Sequence, residues 1–341
     1  VKISILIPAH NEEKSVAACL NSCLGQTRPF DEIVVVNDAS TDKTGKILAG
    51  FKDKIKVITS EVARGNKSYA QELGLPHITG DVFVSTDADT VLDKDFVKNI
   101  EADFKNPKVA AVGGYVRSLK YNWLTACRAY DYAIGQKIHK QAQSNLEFML
   151  VIPGAAGAFR TEIFRKYLHF DHDTVTEDLD FTYKLHKNSL KIAYNPRAIV
   201  YTQDPVNLKS YISQMRRWYG GGWQNLRKHF SLKFISDPRR ALELSLVYVE
   251  GMVFSSLLFI LPFLDIFLAV KVALLFMGIS FLQAIYAAVV ERRADLLFVP
   301  VFYFPLSYIN SAIFIEQFFK AGILTSKKMN FSWVSPDRVR I

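Results

Sequence analysis

The chain is 341 residues long, 50% hydrophobic and 22% charged, and its 42 basic and 33 acidic side chains leave a formal net charge of +9. That length suits about two domains. Its three cysteines, Cys19, Cys23 and Cys127, are odd in number and lack metal-ligand spacing, which argues against a disulfide framework or zinc module and for reduced cytosolic thiols.

In chain order, residues 3–8 read as a buried strand, on which the chain starts directly without a cleavable signal peptide. His10-Asn11-Glu12-Glu13 opens a helix to about Gln26. Residues 33–36 form a second strand ending in Asn37-Asp38-Ala39-Ser40-Thr41-Asp42, with a helix to about Phe51 and a third strand at 55–58. Arg64-Gly65-Asn66-Lys67 leads into a helix through about Leu75. Val82-Phe83-Val84 is a buried strand, begun by Gly80-Asp81 and ending in Asp87 and Asp89, one residue apart. A helix at 93–104, a strand at 109–112 and a long helix at 123–144 follow. Residues 153–159 are a small-residue loop, 176–185 a helix and 192–194 a short strand. Residues 208–229 are helical, although Gly220-Gly221-Gly222 argues against one continuous helix. This alternation predicts an α/β fold with a doubly wound, mostly parallel sheet.

Beyond residue 240 the composition changes to mostly Leu, Val, Ile, Phe and Ala. Apolar runs at 244–264, 266–290 and 296–319 are each near the roughly 20 residues that cross a bilayer, interrupted only by Glu250, Lys271 and Glu316. Their apolar character goes round the helix rather than down one face, so spans fit better than buried helices of a soluble domain. Arg216, Arg217, Arg227, Lys228, Lys233, Arg239 and Arg240 precede the first run, and Arg292-Arg293 follow the second. Both flanks read as cytoplasmic, with a hairpin tip near 262–265, and this clustering accounts for the basic charge without nucleic acid. Pro300 and Pro305 leave the third run open to a bend or re-entrant course, and a full crossing would put Lys327, Lys328, Arg338 and Arg340 outside. The layout is a catalytic domain over 1–235, ending in helices at the membrane surface, a membrane region over 241–322, and a basic tail over 323–341.

Four polar clusters fall where strands end: Asp38; Arg64 with Lys67; Asp87 with Asp89; and Glu177-Asp178. Each alone has a plain explanation, such as an Asx-turn at Asp38 or a capping box over 174–177. In order, and followed by Gln214-Met215-Arg216-Arg217-Trp218, they resemble the inverting family 2 glycosyltransferases. The likeness is greatest to the membrane-embedded branch with D, D-x-D, T/E-D and Q-x-x-R-W motifs. That branch holds hyaluronan, cellulose, chitin and poly-N-acetylglucosamine synthases and the ceramide glucosyltransferases. The resemblance covers about residues 2–229 and, as a pattern of spans, extends to about 319.

The resemblance implies a GT-A-type domain and a nucleotide-sugar donor, most readily a UDP-sugar. Pro8, Ala9, Asn11 and Glu12 match the strand–loop bordering the nucleotide, and Asp38 the residue that binds the base. Arg64, Lys67, Gln214 and Arg217 match groups at the base and diphosphate. Asp87 matches the residue at the ribose–diphosphate and metal, and Asp89 the direct ligand of Mg²⁺ or Mn²⁺. Hard oxygen ligands suit either ion. Asp178 matches the general base, Glu177 its support, and Trp218 a flat face for an acceptor sugar. Gly154 and Gly157 match the loop beneath the acceptor, where a plain turn fits nearly as well.

The implied product is a β-linked polysaccharide made by a plasma-membrane protein with its catalytic domain in the cytosol. Single-sugar transfer to a membrane lipid is the alternative. A non-catalytic nucleotide-binding subunit and a transporter fit less well. Most polymer synthases have spans before the catalytic domain, and this sequence shows none; a three-span channel would be narrow, which leaves a homo-oligomer open.

Overall fold

The computed structural model describes residues 1–63 and 65–324. Arg64 and the basic residues Lys327, Lys328, Arg338 and Arg340 lie outside them. In the first half, β1 (Ile3–Ala9), α1 (Val16–Leu24), β2 (Glu32–Asp38), α2 (Thr44–Ala49), β3 (Lys56–Ser60), α3 (Lys67–Gly74) and β4 (Val82–Ser85) alternate as expected. Then come β5 (Thr90–Leu92), α4 (Phe96–Asp103), β6 (Val109–Ser118), α5 (Trp123–Ile134), α6 (Gln141–Asn145), β7 (Gly157–Arg160), α7 (Thr161–Tyr167), α8 (Glu177–Lys187), β8 (Lys191–Thr202) and α9 (Leu208–His229).

The eight strands make one sheet in the order β3-β2-β1-β4-β7-β6-β8-β5. Its β3–β2–β1–β4 half is parallel, with Ile5 opposite Ile33 on one side and Val84 on the other. β7 runs antiparallel to both β4 and β6, so the sheet is mixed beyond β4. Successive side chains of a strand point to opposite faces. Ile3, Ile5 and Ile7 accordingly pack with Val16 and Leu20 of α1 and with Phe96 and Ile100 of α4. Leu6, Val34 and Val36 pack with Ala70 of α3 and with Phe181 and Leu185 of α8.

Several expectations are corrected. The helix expected from His10 begins only at Val16, because Asn11 adopts a left-handed φ of 55° and its Oδ1 accepts from Thr41 N at 2.8 Å. The small-residue loop ends early, since Gly157 opens β7. β6 and β8 run on to Ser118 and Thr202, past Gly113-Gly114 and Asn195-Pro196, because a register shift between Gly113 and Tyr115 absorbs the irregularity. The helix at 123–144 is present but contains a π-helical turn at Gly135–Lys140. α8 starts at Glu177 with Thr176 as its N-cap, so Glu177 is the first helical residue rather than the third and the box expected over 174–177 does not form; Thr176 makes no side-chain cap, and its Oγ1 accepts from Asn225 Nδ2 at 3.0 Å.

The α9 glycines do not break the helix. A Cβ on Gly221 would lie 2.3 Å from Thr176 Oγ1, so hydrogen in place of a side chain is what lets α9 approach the start of α8. The helix-propensity cost of glycine, about 1 kcal/mol each, is outweighed by this packing.

The chain continues through α10 (Leu232–Ile235) and α11 (Pro238–Leu244) into α12 (Glu250–Leu264), then α13 (Ile266–Glu291) and α14 (Val299–Gln317). Asp265 separates α12 from α13 and caps the latter, accepting from Leu268 N at 3.0 Å. Three stretches, Pro238–Leu264, Ile266–Glu291 and Ala294–Ile323, are long and apolar enough to cross a membrane. The third runs unbroken through Pro305, and Pro300 stands in its first turn, where a missing N–H costs nothing. Its most apolar window is 39% buried against 6% in α13, so it forms the centre of the helical part. Leu124 and Tyr130 of α5, Tyr211 and Met215 of α9 and Leu306 and Ile313 of α14 share one apolar cluster. Tyr211 donates to Asn310 at 2.9 Å, and Arg216 pairs with Glu316 at 2.9 Å. The expected surface helix is therefore docked onto the third apolar helix. Part of the basic flank is used internally: besides Arg216, Lys228 pairs with Asp173 at 2.7 Å and Asp180 at 2.8 Å.

Candidate active site

The carboxyl ends of β1, β2 and β4 meet at one edge of the parallel half-sheet, where ligands of open α/β sheets gather. Pro8 and Ala9 end β1, and Asp38, buried, ends β2. Asp38 carbonyl oxygen accepts from His10 Nδ1 at 2.6 Å, and Asn11 N donates to Ser40 Oγ at 3.1 Å, so the loops after β1 and β2 hold each other. Glu12 is buried; its carboxylate accepts from Ser15 Oγ at 2.6 Å and its N–H donates to Thr44 Oγ1 at 2.8 Å.

Lys67, the first residue of α3, reaches across from this edge. Its ammonium lies 2.6 Å from Asp87 Oδ1 and 3.4 Å from Glu177 Oε1, and donates to Gly154 carbonyl oxygen at 3.4 Å. Burial alone would lower its pKa, but the two carboxylates outweigh that and hold it charged, above the ordinary lysine range. Gly154 N donates in turn to Asp178 Oδ2 at 3.2 Å, while Asp178 Oδ1 accepts from Leu179 N at 2.8 Å. A Cβ at Gly154 would lie 3.3 Å from both Asp178 Oδ2 and Lys67 Nζ, so the glycine lets the backbone sit between them. Burial, and after it the neighbouring Glu177 carboxylate, push the Asp178 carboxyl up to about 6.

Asp89 is buried four residues after the end of β4. Among the described residues no group of three or more His, Cys, Asp or Glu could hold a metal by itself. Asp87 and Asp89 supply hard oxygens, a donor set that would suit a divalent ion.

Gln214, Arg217 and Trp218 lie on α9 at spacings of three and one, and all three are half-buried. Gln214 Oε1 is buried and accepts from no described residue. The Arg128 guanidinium lies 4.6 Å from the Trp218 ring centroid.

A cavity of about 1200 Å³ joins these parts. Its lining includes Pro8, Glu12, Lys67, Asp87 and Asp89 together with Gly154, Glu177, Asp178, Gln214, Arg217 and Trp218. It continues between the apolar helices past Ser255, Phe276, Ser307 and Asn310. Ala9, Asn11, Asp38 and Gly157 are not among its lining residues. Gly157 faces the core instead, where a Cβ would meet Ile152 and Phe159 at 3.1 Å.

Arg128, Lys140 and Asp204 are among the lining residues that carry no sequence motif. Lys140 ends the π-helical turn and donates to Val151 carbonyl oxygen at 3.0 Å. Burial pulls its pKa down to about 7, against the attraction of Asp178. Its only signal in the sequence was a place on a long helix.

Residues 2–221 match the family described as glycosyltransferase-like family 2. The chain belongs to this family. Family 2 relatives include the poly-beta-1,6-N-acetyl-D-glucosamine synthase of Staphylococcus epidermidis, 30% identical over 99% of this chain and 88% of that protein. A probable glycosyltransferase of Bacillus subtilis, YdaM, is 30% identical over 72% of this chain and 61% of its own length. Among solved structures, the mannosyltransferase PcManGT from Pyrobaculum calidifontis, in complex with GDP-Man and Mn²⁺, has a TM-score of 0.66 at 18% identity, over 94% of this chain and 87% of that one. TarS 1–349 of S. aureus, in complex with UDP, has a TM-score of 0.54 at 19% identity, over 94% and 92%. This family 2 chain thus has the expected GT-A-like fold, followed by three apolar helices that could span a membrane.

Proposed function

We propose that this chain builds a β-linked polysaccharide at the plasma membrane, transferring N-acetylglucosamine from a UDP-linked donor to the growing end on the cytosolic side. The observation that carries the reading is the tie Asp87–Lys67–Gly154–Asp178, in which one ammonium and the backbone of one glycine join the donor-side carboxylate to a second carboxylate with a raised pKa. The near full-length likeness to a poly-N-acetylglucosamine synthase supports polymer over lipid transfer. Sidedness is supported by Arg293, which follows α13 and donates to Ser118 carbonyl oxygen at 3.3 Å, so that end of the helical hairpin meets the catalytic domain.

In this reading Asp178 accepts the proton of an acceptor hydroxyl as its oxygen attacks the anomeric carbon. The bond from that carbon to the diphosphate oxygen breaks on the opposite face, and its electron pair leaves with UDP. A carboxyl group titrating near 6 is ionised at neutral pH yet more basic than an ordinary aspartate, which suits a general base. Gly154 N–H aims the carboxylate, and burial, with Glu177 after it, keeps the Asp178 pKa raised. The Pro8–Glu12 loop and Asp38 are assigned to the nucleoside, and Lys67, Gln214 and Arg217 to the diphosphate, with Arg64 assigned there by its motif alone. Trp218 offers a flat face to the acceptor ring. Asp89 and Asp87 would hold Mg²⁺ or Mn²⁺, which would supply positive charge to offset that growing on the departing diphosphate.

The test is purified protein in lipid with Mg²⁺ or Mn²⁺ and a panel of labelled UDP- and GDP-sugars, with products resolved by size. UDP-N-acetylglucosamine is expected to yield a high-molecular-weight ladder that chelation abolishes. A single product extracting into organic solvent overturns the polymer reading, and consumption of no donor overturns the enzyme. Asp89→Ala is expected to abolish metal-dependent UDP binding; unchanged affinity removes the metal assignment.

A further inference from the structure

The cavity wall beside Trp218 carries charge for which the transfer step has no use. Arg128 of α5 is only 4% exposed, and its guanidinium lies between two rings, 4.6 Å from the Trp218 centroid and 4.7 Å from that of Tyr132. Its Nη1 donates to Asp131 Oδ2 at 3.0 Å and its Nε to Asp204 Oδ1 at 3.4 Å, while Tyr132 Oη donates to the same Asp204 oxygen at 3.1 Å. Asp204, just after β8, is also 4% exposed.

One arm of each group is left over. Arg128 Nη2 and Asp204 Oδ2 are buried and hydrogen-bond to no described residue, although both side chains line the cavity. Leaving a buried charged donor and acceptor unsatisfied costs more than leaving neutral groups so. A ligand that fills both recovers that cost. One free donor beside one free acceptor complements sugar hydroxyls, each of which both donates and accepts. The cluster also sets two carboxylates, Asp131 and Asp204, against one guanidinium. That balance disfavours a diphosphate here and suits a neutral ligand. Trp218, alongside, offers a flat aromatic surface of the kind that suits the apolar face of a pyranose ring.

We propose that Arg128 and Asp204 form a polar subsite that hydrogen-bonds ring hydroxyls of the acceptor sugar lying against Trp218. Arg128 also holds the Trp218 indole in position through its contact with the ring. The assignment rests on the sugar-transfer reading above, and it makes these two residues determinants of acceptor specificity rather than parts of the reacting centre.

The test uses the full chain in detergent, short β-linked N-acetylglucosamine oligomers, and the same oligomers lacking one hydroxyl of the terminal ring. Calorimetry measures oligomer binding without donor, and UDP affinity is measured separately. A hydrogen bond to a charged group contributes about 1.5–3 kcal/mol, so at least one deoxy oligomer should bind the wild-type chain about tenfold or more weakly. Asp204→Asn should weaken the parent oligomer, level the difference between parent and deoxy oligomers, and leave UDP affinity unchanged. Equal affinity of wild type for every deoxy oligomer overturns the subsite, as does an Asp204→Asn protein that loses UDP affinity while discriminating as before. If that variant does not fold, the wild-type deoxy series decides alone. A wild-type chain that discriminates among the oligomers yet consumes no nucleotide sugar supports the subsite and sinks only the transfer reading.

Discussion

On the donor side of the candidate site, the residues follow strands closely: Pro8 and Ala9 end β1, Asp38 ends β2, and Asp87 and Asp89 come soon after β4. On the acceptor side they come from helices far apart in sequence, with Arg128 on α5, Asp178 on α8 and Trp218 on α9. Strand ends are placed by the hydrogen-bonded register of the sheet, so their neighbours follow from local pattern. Helix faces are placed by packing, which depends on every partner. One edge of the site is thus set by short-range rules, and the other by how α9 sits against α8 and α14.

The sharpest way to separate the two sides is Asp178→Asn. Turnover should drop by roughly 10²–10⁴-fold, the usual loss when a general base is removed, while UDP affinity stays unchanged. Near-normal turnover would move the base elsewhere, and a parallel loss of UDP affinity would mean that the two sides are not independent.

A smaller effect should appear with pH. The Asp178 carboxyl is shifted upward, to about 6, by burial and by Glu177. A raised acid pKa means that the base is lost on acidification: kcat/KM should fall about tenfold per pH unit below roughly pH 6. UDP binding, followed in parallel, should not share that limb. A profile flat to pH 5 would assign the proton transfer to another group.

The smallest effect concerns how the acceptor side is assembled. Gly221→Ala forces a Cβ to within 2.3 Å of Thr176 Oγ1, next to Glu177 and Asp178. Overpacking of this kind costs about 1–3 kcal/mol, to be read as a lower thermal midpoint with turnover reduced more than UDP affinity. Gly222→Ala is the control: its Cβ would stand 3.2 Å from the end of the Tyr248 side chain, which can shift, so the loss should be smaller. Equal losses would mean that the approach of α9 to α8 does not matter to the site.

The legibility of the chain follows the same division. Val82-Phe83-Val84 with Asp87 and Asp89 could be read as a buried strand carrying carboxylates at its end, and it is one. The apolar runs were equally plain, because the length and uniform hydrophobicity that cross a bilayer depend on no partner. The glycines of α9 argue against a continuous helix only because helix propensity is a local quantity, whereas the use of Gly221 is its contact with Thr176 across 45 positions of chain, from 176 to 221. Arg128 and Asp204 stood 76 residues apart with no motif between them. The π-helical turn that brings Lys140 into the cavity had no sequence signal either.

The sequence by itself therefore determined the α/β alternation, the carboxylates at the strand ends, the order of the motifs and the three apolar helices. These rest on periodicity, spacing and hydrophobic length, each a property of a short segment. Only the tertiary structure decided that Lys67 and Gly154 link Asp87 to Asp178, that α9 runs unbroken onto α14, and that a buried Arg128–Asp204 pair stands beside Trp218. Those depend on charges and surfaces that meet only once the sheet and the helices have packed. No window of the sequence contains both partners.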